Sequence, residues 1–487
     1  MSRRTRVRGA ILLALSSLFL VQAALLALPA PVQAATRKTP TTLVIGAAAV
    51  PAGFLASVKV QGPNGFRRTY TGAGSTRIAN VPAGRYTIST APIVVATGTA
   101  GTPAGTYYPT VPATKTLRTG GTLRLRADFA TVVAPRVTVT DAKTIAATSI
   151  VAGSKPGTSG TVQVRGTFAR GDLLVSGVTT TTPEGLLVRL GARRTVSNGV
   201  TTFAATTVPL TTVLLRGSFG QTVTGSATLD GTSPGSLSAV DATITPGAFT
   251  MSSPFRTTIP CSSRASMGLE AKVDATITAG VTARWDVVHP ATTAVGVAAV
   301  AHAIGTMNTW VTGAAACSGT KSKLGRSVPL GTVVVDVGPV PVVLVQSLQF
   351  VAEGSAGTEA PMAASVVTDV TTTAGLTATT HGRTSTVQLP VLNAEAGPPW
   401  ATGSGAATLV IGAKLHSKLY GIDGAYASVK VGPNITANRS AAPWWNVDAH
   451  ITAGIGVHIA ALGIQQGRSA LLDHSWPISE AVGAIGG

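Results

Sequence analysis

Four side chains of this sequence could build an acid–base or metal site: His416, Asp448, His450 and His458. Each falls on an even position of a stretch in which apolar and polar residues alternate, so an extended chain puts all four on polar faces. Asp448 and His450 stand two apart and are neighbours on one face, where a carboxylate and an imidazole can share a proton. Their spacing matches no metal-ligand pattern. Three aromatics, Tyr420, Tyr426 and Trp444, have the same parity. A ring on a polar sheet face offers a flat apolar body with a polar edge, which suits stacking on a sugar. Lys418 and Lys430 would add positive charge beside them, and Trp445, of opposite parity, belongs to the core. The stretch GTSPG at Gly231–Gly235 has the spacing of a nucleophile elbow. That motif needs a helix after the serine, whereas Pro234 and β-like residues follow Ser233. No catalytic residue, metal site or cofactor is therefore expected. Tyr420, Tyr426 and Trp444 are the candidate glycan-binding residues.

The elements that carry these residues read as strands. From Met267 to Val287 every odd position is apolar and the even ones are polar or glycine. This is period two without a slip, and it predicts one continuous strand or a hairpin with an odd-length loop. The pattern contains VDATITAGV (Val273–Val281), which returns as VDAHITAGI (Val447–Ile455) with seven of nine residues identical. Repetition of a whole pleat predicts one structural element built twice. By contrast VVVDVGPVPVVLV is apolar on both parities, as in a strand covered on both faces.

The bulk composition agrees. Only 11% of the 487 residues are charged, against about 25% in ordinary globular chains. Thr, Ser and Gly must supply the polar surface, which suits pleated structure. Lys and Arg number 37 against 18 Asp and Glu, a net charge of +19. Arg3, Arg4, Arg6 and Arg8 precede an apolar run from Ala10 to Leu28, and small residues follow at Val32 and Ala34. This predicts a secretory signal peptide over residues 1–35. Cys261 and Cys317, in an exported chain, predict a disulfide. No later run is long and uncharged enough for a transmembrane helix. No basic helix or aromatic–basic interleaving points to nucleic acid. The excess positive charge favours anionic wall polymers as partners.

Three further regions follow. Residues 40–130 contain ASVKVQGPNGFRRTYTG and NVPAGRYTI. They resemble the prealbumin-like β-sandwiches of the Cna-B and carboxypeptidase-regulatory type, which implies an Ig-like spacer fold. Residues 131–225 form a small β module, with Gly171, Asp172, Leu186, Leu187 and Arg189 at positions that resemble a module of large exported bacterial β-proteins. Residues 245–487 carry the repeat and form a large antiparallel unit, sandwich or barrel-like. There Tyr420, Gly421, Gly424, Tyr426, Trp444 and Trp445 resemble a C-terminal stretch of exported actinobacterial β-proteins. The expectation is a secreted, all-β envelope protein that binds or supports rather than catalyses. A β-barrel pore is the alternative, and an exported hydrolase the third choice.

Overall fold

The structure is a computed structural model that describes residues 40–99, 101–225, 254–261, 265–322, 327–422, 424–459, 462 and 464–481. The expected signal peptide and Ser233 lie outside the described residues. The fold is all-β, with sheets of twelve, six, four and seven strands.

Strands β1 (Thr42–Ala48), β2 (Ala56–Gln61), β3 (Arg67–Gly72), β4 (Ser75–Ala79), β5 (Gly84–Ser89), β6 (Ile93–Val95), β7 (Gly105–Thr110), β8 (Lys115–Leu117) and β9 (Thr122–Val133) open the chain. The order β3-β2-β5-β8 makes one sheet, and β1, β4, β6, β7 and β9 belong to the twelve-stranded one. Alternation sends Val58, Val60 and Tyr86 from the first sheet toward Leu43, Ile45 and Phe129 from the second, and these residues share one core.

Next come β10 (Val137–Thr140), β11 (Ile145–Thr148), β12 (Ser159–Arg165), β13 (Leu173–Ser176), β14 (Leu186–Ser197) and β15 (Val200–Thr207), paired as β10-β13-β14-β15-β12-β11. A helical turn, α1 (Leu210–Val213), leads into β16 (Leu214–Gly225). β16 pairs with β9 at Val132 and Val133, so the N-terminal sheet continues into the rest of the molecule.

The long strands are β17 (Pro254–Pro260), β18 (Ser266–Asp286), β19 (Ala294–Thr312), β20 (Ala315–Ser322), β21 (Val328–Val337), β22 (Val340–Thr358), β23 (Met362–Thr379), β24 (Gly382–Ala396), β25 (Trp400–Ala401), β26 (Gly405–Leu419), β27 (Gly424–Ala437), β28 (Trp445–Ile459) and β29 (Ile464–Glu480). β24-β23-β19-β18-β16 form the long-stranded part of the first sheet, and β20-β22-β26-β27-β28-β29 form the seven-stranded sheet with β21 beside β22. The two stack in register of order: β24 faces β29, β23 faces β28, β19 faces β27, β18 faces β26 and β16 faces β21. Many inward residues are alanine, among them Ala271, Ala279, Ala413, Ala427 and Ala453. Small side chains let the sheets approach closely over a filled apolar core.

β18 is one strand of 21 residues, about 70 Å at roughly 3.3 Å per residue. Met267, Leu269, Ala271, Ala279, Val281, Ala283 and Trp285 are buried, as the alternation predicts. The parity fails at the end. Val287 lies beyond the strand and is 47% exposed, while Asp286 turns inward and is buried. The two copies of the repeat lie in facing sheets, one in β18 and one in β28. In the second copy Val447, Ala449, Ile451, Ala453 and Ile455 are all buried. The repeat is one pleat used on both sides of one core.

Val340, Pro341, Val342, Val343 and Leu344 are buried on both parities. The long-stranded sheet covers one side. The six-stranded sheet covers the other, where Gly177 meets Pro341 and Gly185 meets Val343 and Tyr420.

Candidate functional site

The outer face of the seven-stranded sheet gathers most of the side chains singled out from the sequence. Register fixes where each one stands. His416 of β26 lies opposite Tyr426 of β27, and Tyr426 lies opposite Gly456 of β28. Gly456 carries no side chain, and a Cβ there would overlap the Tyr426 ring. The ring therefore lies across the neighbouring strand instead of standing away from it. Lys414 Nζ sits over the ring, 3.9 Å from its centroid, a cation–π contact. The His416 ring is 6.0 Å from the same centroid and tilted by 41°.

Nearer the middle of the sheet, Lys430 forms an ion pair with Glu353. His450 bridges two residues of β29: Nδ1 is 2.9 Å from Ser475 Oγ and Nε2 is 3.3 Å from Asp473 Oδ1. Beside them Thr408 Oγ1 donates to Asn434 Oδ1 at 2.7 Å, and Asn434 Nδ2 donates to Asp448 Oδ2 at 3.2 Å. The field spans five strands, with rows about 4.8 Å apart.

Burial lowers the pKa of His416 to about 4, and the charges of Lys414 and Lys418 add to the effect. Burial also lowers that of His450, against the opposing pull of Asp473. Both rings are neutral near pH 7. A neutral His450 that donates from Nε2 to Asp473 must accept at Nδ1, so the Ser475 hydroxyl donates to it. Hydroxyl, imidazole and carboxylate thus follow in the order of a hydrolytic triad. The series lies on an open sheet face, however, with the Asp473 side chain 66% exposed. The β28 backbone beneath it is paired with β27 and β29 along its length. Such a series orients side chains on the sheet, and nothing about it forms an enclosed acyl-transfer site.

The sequence-derived residues do not converge as expected. Tyr420 is buried, 5% exposed, with its ring against Gly185 and its hydroxyl donating to the Pro341 carbonyl. Burial holds its pKa above the ordinary range. This corrects the expectation of an outward sugar-stacking ring: parity points Tyr420 away from the sandwich core, and the six-stranded sheet covers it. Trp444 is half-buried, edge-on to Trp445 with centroids 6.3 Å apart, in the turn before β28. Tyr426 and the end of β27 are 11 residues apart, about 36 Å, so Tyr426 and Trp444 cannot contact one sugar ring. His458 lies at the far end of β28 from Asp448 and opposite Gln465. Among the described residues no group of His, Cys, Asp and Glu is arranged to hold a metal ion.

Glu353, Asn434, Asp473 and Ser475 were missed from the sequence. Asp473 and Ser475 repeat the two-residue spacing of Asp448 and His450, a usable signal. Their pairing with His450 depends on the register of β29, which has irregularities near Asp448 and Gly454.

No family model, curated protein or solved structure matches this chain.

Proposed function

We propose that the protein is an exported structural and binding protein of the cell envelope or extracellular space, attached to wall polysaccharide or to anionic envelope polymers. The observation that carries this reading is the broad polar face of β26–β29, where Tyr426 lies across Gly456 amid rows of paired hydrogen-bonding groups. An extended glycan presents hydroxyls and flat ring faces in a row, and a sheet face matches that geometry better than an enclosed cleft does. The basic, apolar, small-residue order of residues 1–35 supports export. The N-terminal sandwich fits the spacer role that its prealbumin-like resemblance implies.

A disulfide between Cys261 and Cys317 belongs to the same reading. Cys261 follows β17 at the edge of one sheet, Cys317 lies in β20 of the facing sheet, and β17 faces β20. A bond there would staple the sandwich. The filled apolar interior supports a sandwich over a pore, whose lumen would be polar. Among the described residues no helix is long and apolar enough to cross a membrane.

The test is co-sedimentation of the full chain with isolated wall polysaccharide at low and high salt. Salt screens charge attraction, with a Debye length of about 8 Å at physiological ionic strength. Stacking and hydrogen bonding persist. Partial retention at high salt, reduced further by Tyr426→Ala, supports the platform. Binding untouched by Tyr426→Ala argues against it.

A further inference from the structure

Positive charge is concentrated in one part of the molecule. Residues 40–130 hold nine Lys and Arg and a single acid, Asp128, whereas residues 131–487 hold 22 against 17. All nine basic residues are exposed, and among the described residues none of them is in an ion pair. A solvated structural surface ordinarily mixes the two signs. Seven of the nine are arginine.

Three of the arginines form an ordered set. Val44 of β1 is paired with Arg77 of β4 on one side and with Arg124 of β9 on the other. Arg77 and Arg124 therefore flank one residue, about 10 Å apart across two strand spacings. Arg126 stands one step further along the same face, about 7 Å from Arg124. Between Arg126 and Ser75 lies Gly46, where a Cβ would collide with the Gly74 carbonyl and Ser75. Gly46 is buried, with the Gly74 carbonyl and Ser75 packed against it, so the arginines stand beside closed backbone, and Arg77 Nη2 donates to Thr42 Oγ1 at 3.5 Å. The opposite face of this sandwich carries Lys59, Arg67 and Arg85 in a looser diagonal.

We infer that Arg77, Arg124 and Arg126, exposed on one sheet face around Val44, bind a phosphate-bearing polymer. A guanidinium offers two parallel N–H groups to one phosphate, a geometry that a lysine ammonium lacks. The spacing suits successive charges along a chain. The inference deepens the envelope-polymer reading by assigning a polymer class and a second site, and it does not depend on Tyr426.

The experiment measures binding of the full chain to inorganic polyphosphate in 0.15 M salt. The Arg77→Gln, Arg124→Gln, Arg126→Gln triple variant should bind at least ten-fold more weakly. The Lys59→Gln, Arg67→Gln, Arg85→Gln variant removes the same charge and should lose less than three-fold. Replacing the first three by lysine keeps the charge and should still weaken binding several-fold. Equal losses in the two glutamine variants would show diffuse attraction and overturn the site, as would a lysine variant that binds like the parent. Tighter binding to single-stranded nucleic acid than to polyphosphate of equal charge would replace the proposed ligand. Absence of polyphosphate binding would end the proposal. Tyr426→Ala should leave this binding unchanged, so failure of the sheet platform and failure of this site are separately visible.

Discussion

Tyr426 lies across Gly456, its partner in the adjacent strand, because no side chain at 456 keeps the ring away. Gly456→Ala should lift the ring without removing it. Polysaccharide binding should then fall about as far as it does in Tyr426→Ala, while far-ultraviolet circular dichroism stays that of the parent. Full binding by Gly456→Ala would mean that the ring's position is irrelevant.

Lys414 covers part of the same ring. Losing a half-buried cation–π contact costs about 1 kcal/mol, so Lys414→Ala should fold normally. If sugars stack on the ring, this variant should bind neutral glycan at least as well as the parent. A several-fold loss for a neutral probe would assign Lys414 itself the contact.

His416 should make the protein acid-sensitive. Its folded pKa is lowered to about 4 from the ordinary 6.5, first by burial and then by Lys414 and Lys418. Between these values the unfolded chain binds the proton and the folded one does not, so the stability present above pH 6.5 is lost as pH falls toward 4. After allowance for partial solvent screening the loss is on the order of 2 kcal/mol. Denaturant midpoints from pH 7 to 4.5 read it directly. His416→Gln should flatten the slope in part, since His450 is shifted in the same direction.

Asp286 closes the joint between β16 and β18. Oδ2 accepts from Arg216 Nε at 2.8 Å, and Oδ1 accepts from the Val288 amide at 2.9 Å. Burial raises its pKa, but hydrogen bonds from His289 and the charge of Arg216 outweigh this and leave it below the usual carboxylate range. Asp286→Ala strands a largely covered arginine and should cost about 2–4 kcal/mol in equilibrium unfolding. A loss under about 1 kcal/mol would mean that Arg216 finds water instead.

Gln346 and Ser417 form a polar pair inside the sandwich, with Nε2 donating to Oγ at 2.8 Å. Gln346 Oε1 has no hydrogen-bond partner among the described residues. Ser417→Ala should destabilise by about 1–3 kcal/mol, because it strands the amide as well. Adding Gln346→Leu should restore most of that loss, and a double-mutant cycle measures the coupling.

The expected bridge between Cys261 and Cys317 predicts no titratable thiol in exported protein unfolded without reductant. Two thiols in that assay would exclude it.

Alternation by itself determined, among the described residues, which side chains of β18 as far as Trp285 and of β28 face the core. A one-residue slip would expose the whole apolar set, so Met267 to Trp285 and Trp445 to Ile459 were legible as pleats from their order alone. The all-β class and the structural nature of the repeat followed. Tertiary structure decided what lies outside each pleat. Tyr420 has outward parity, but its cover comes from Gly185, more than two hundred residues earlier, and no local pattern encodes that contact. Tyr426 and Trp444 are close in sequence and at opposite ends of β27, because a strand separates residues as far as its length allows. His450 meets Asp473 and Ser475 only through the irregular register of β29. Charge density in residues 40–130 was countable in the sequence. The placing of Arg77 and Arg124 on either side of Val44 required the parallel pairing of β1 with β9, a choice made by packing between distant segments.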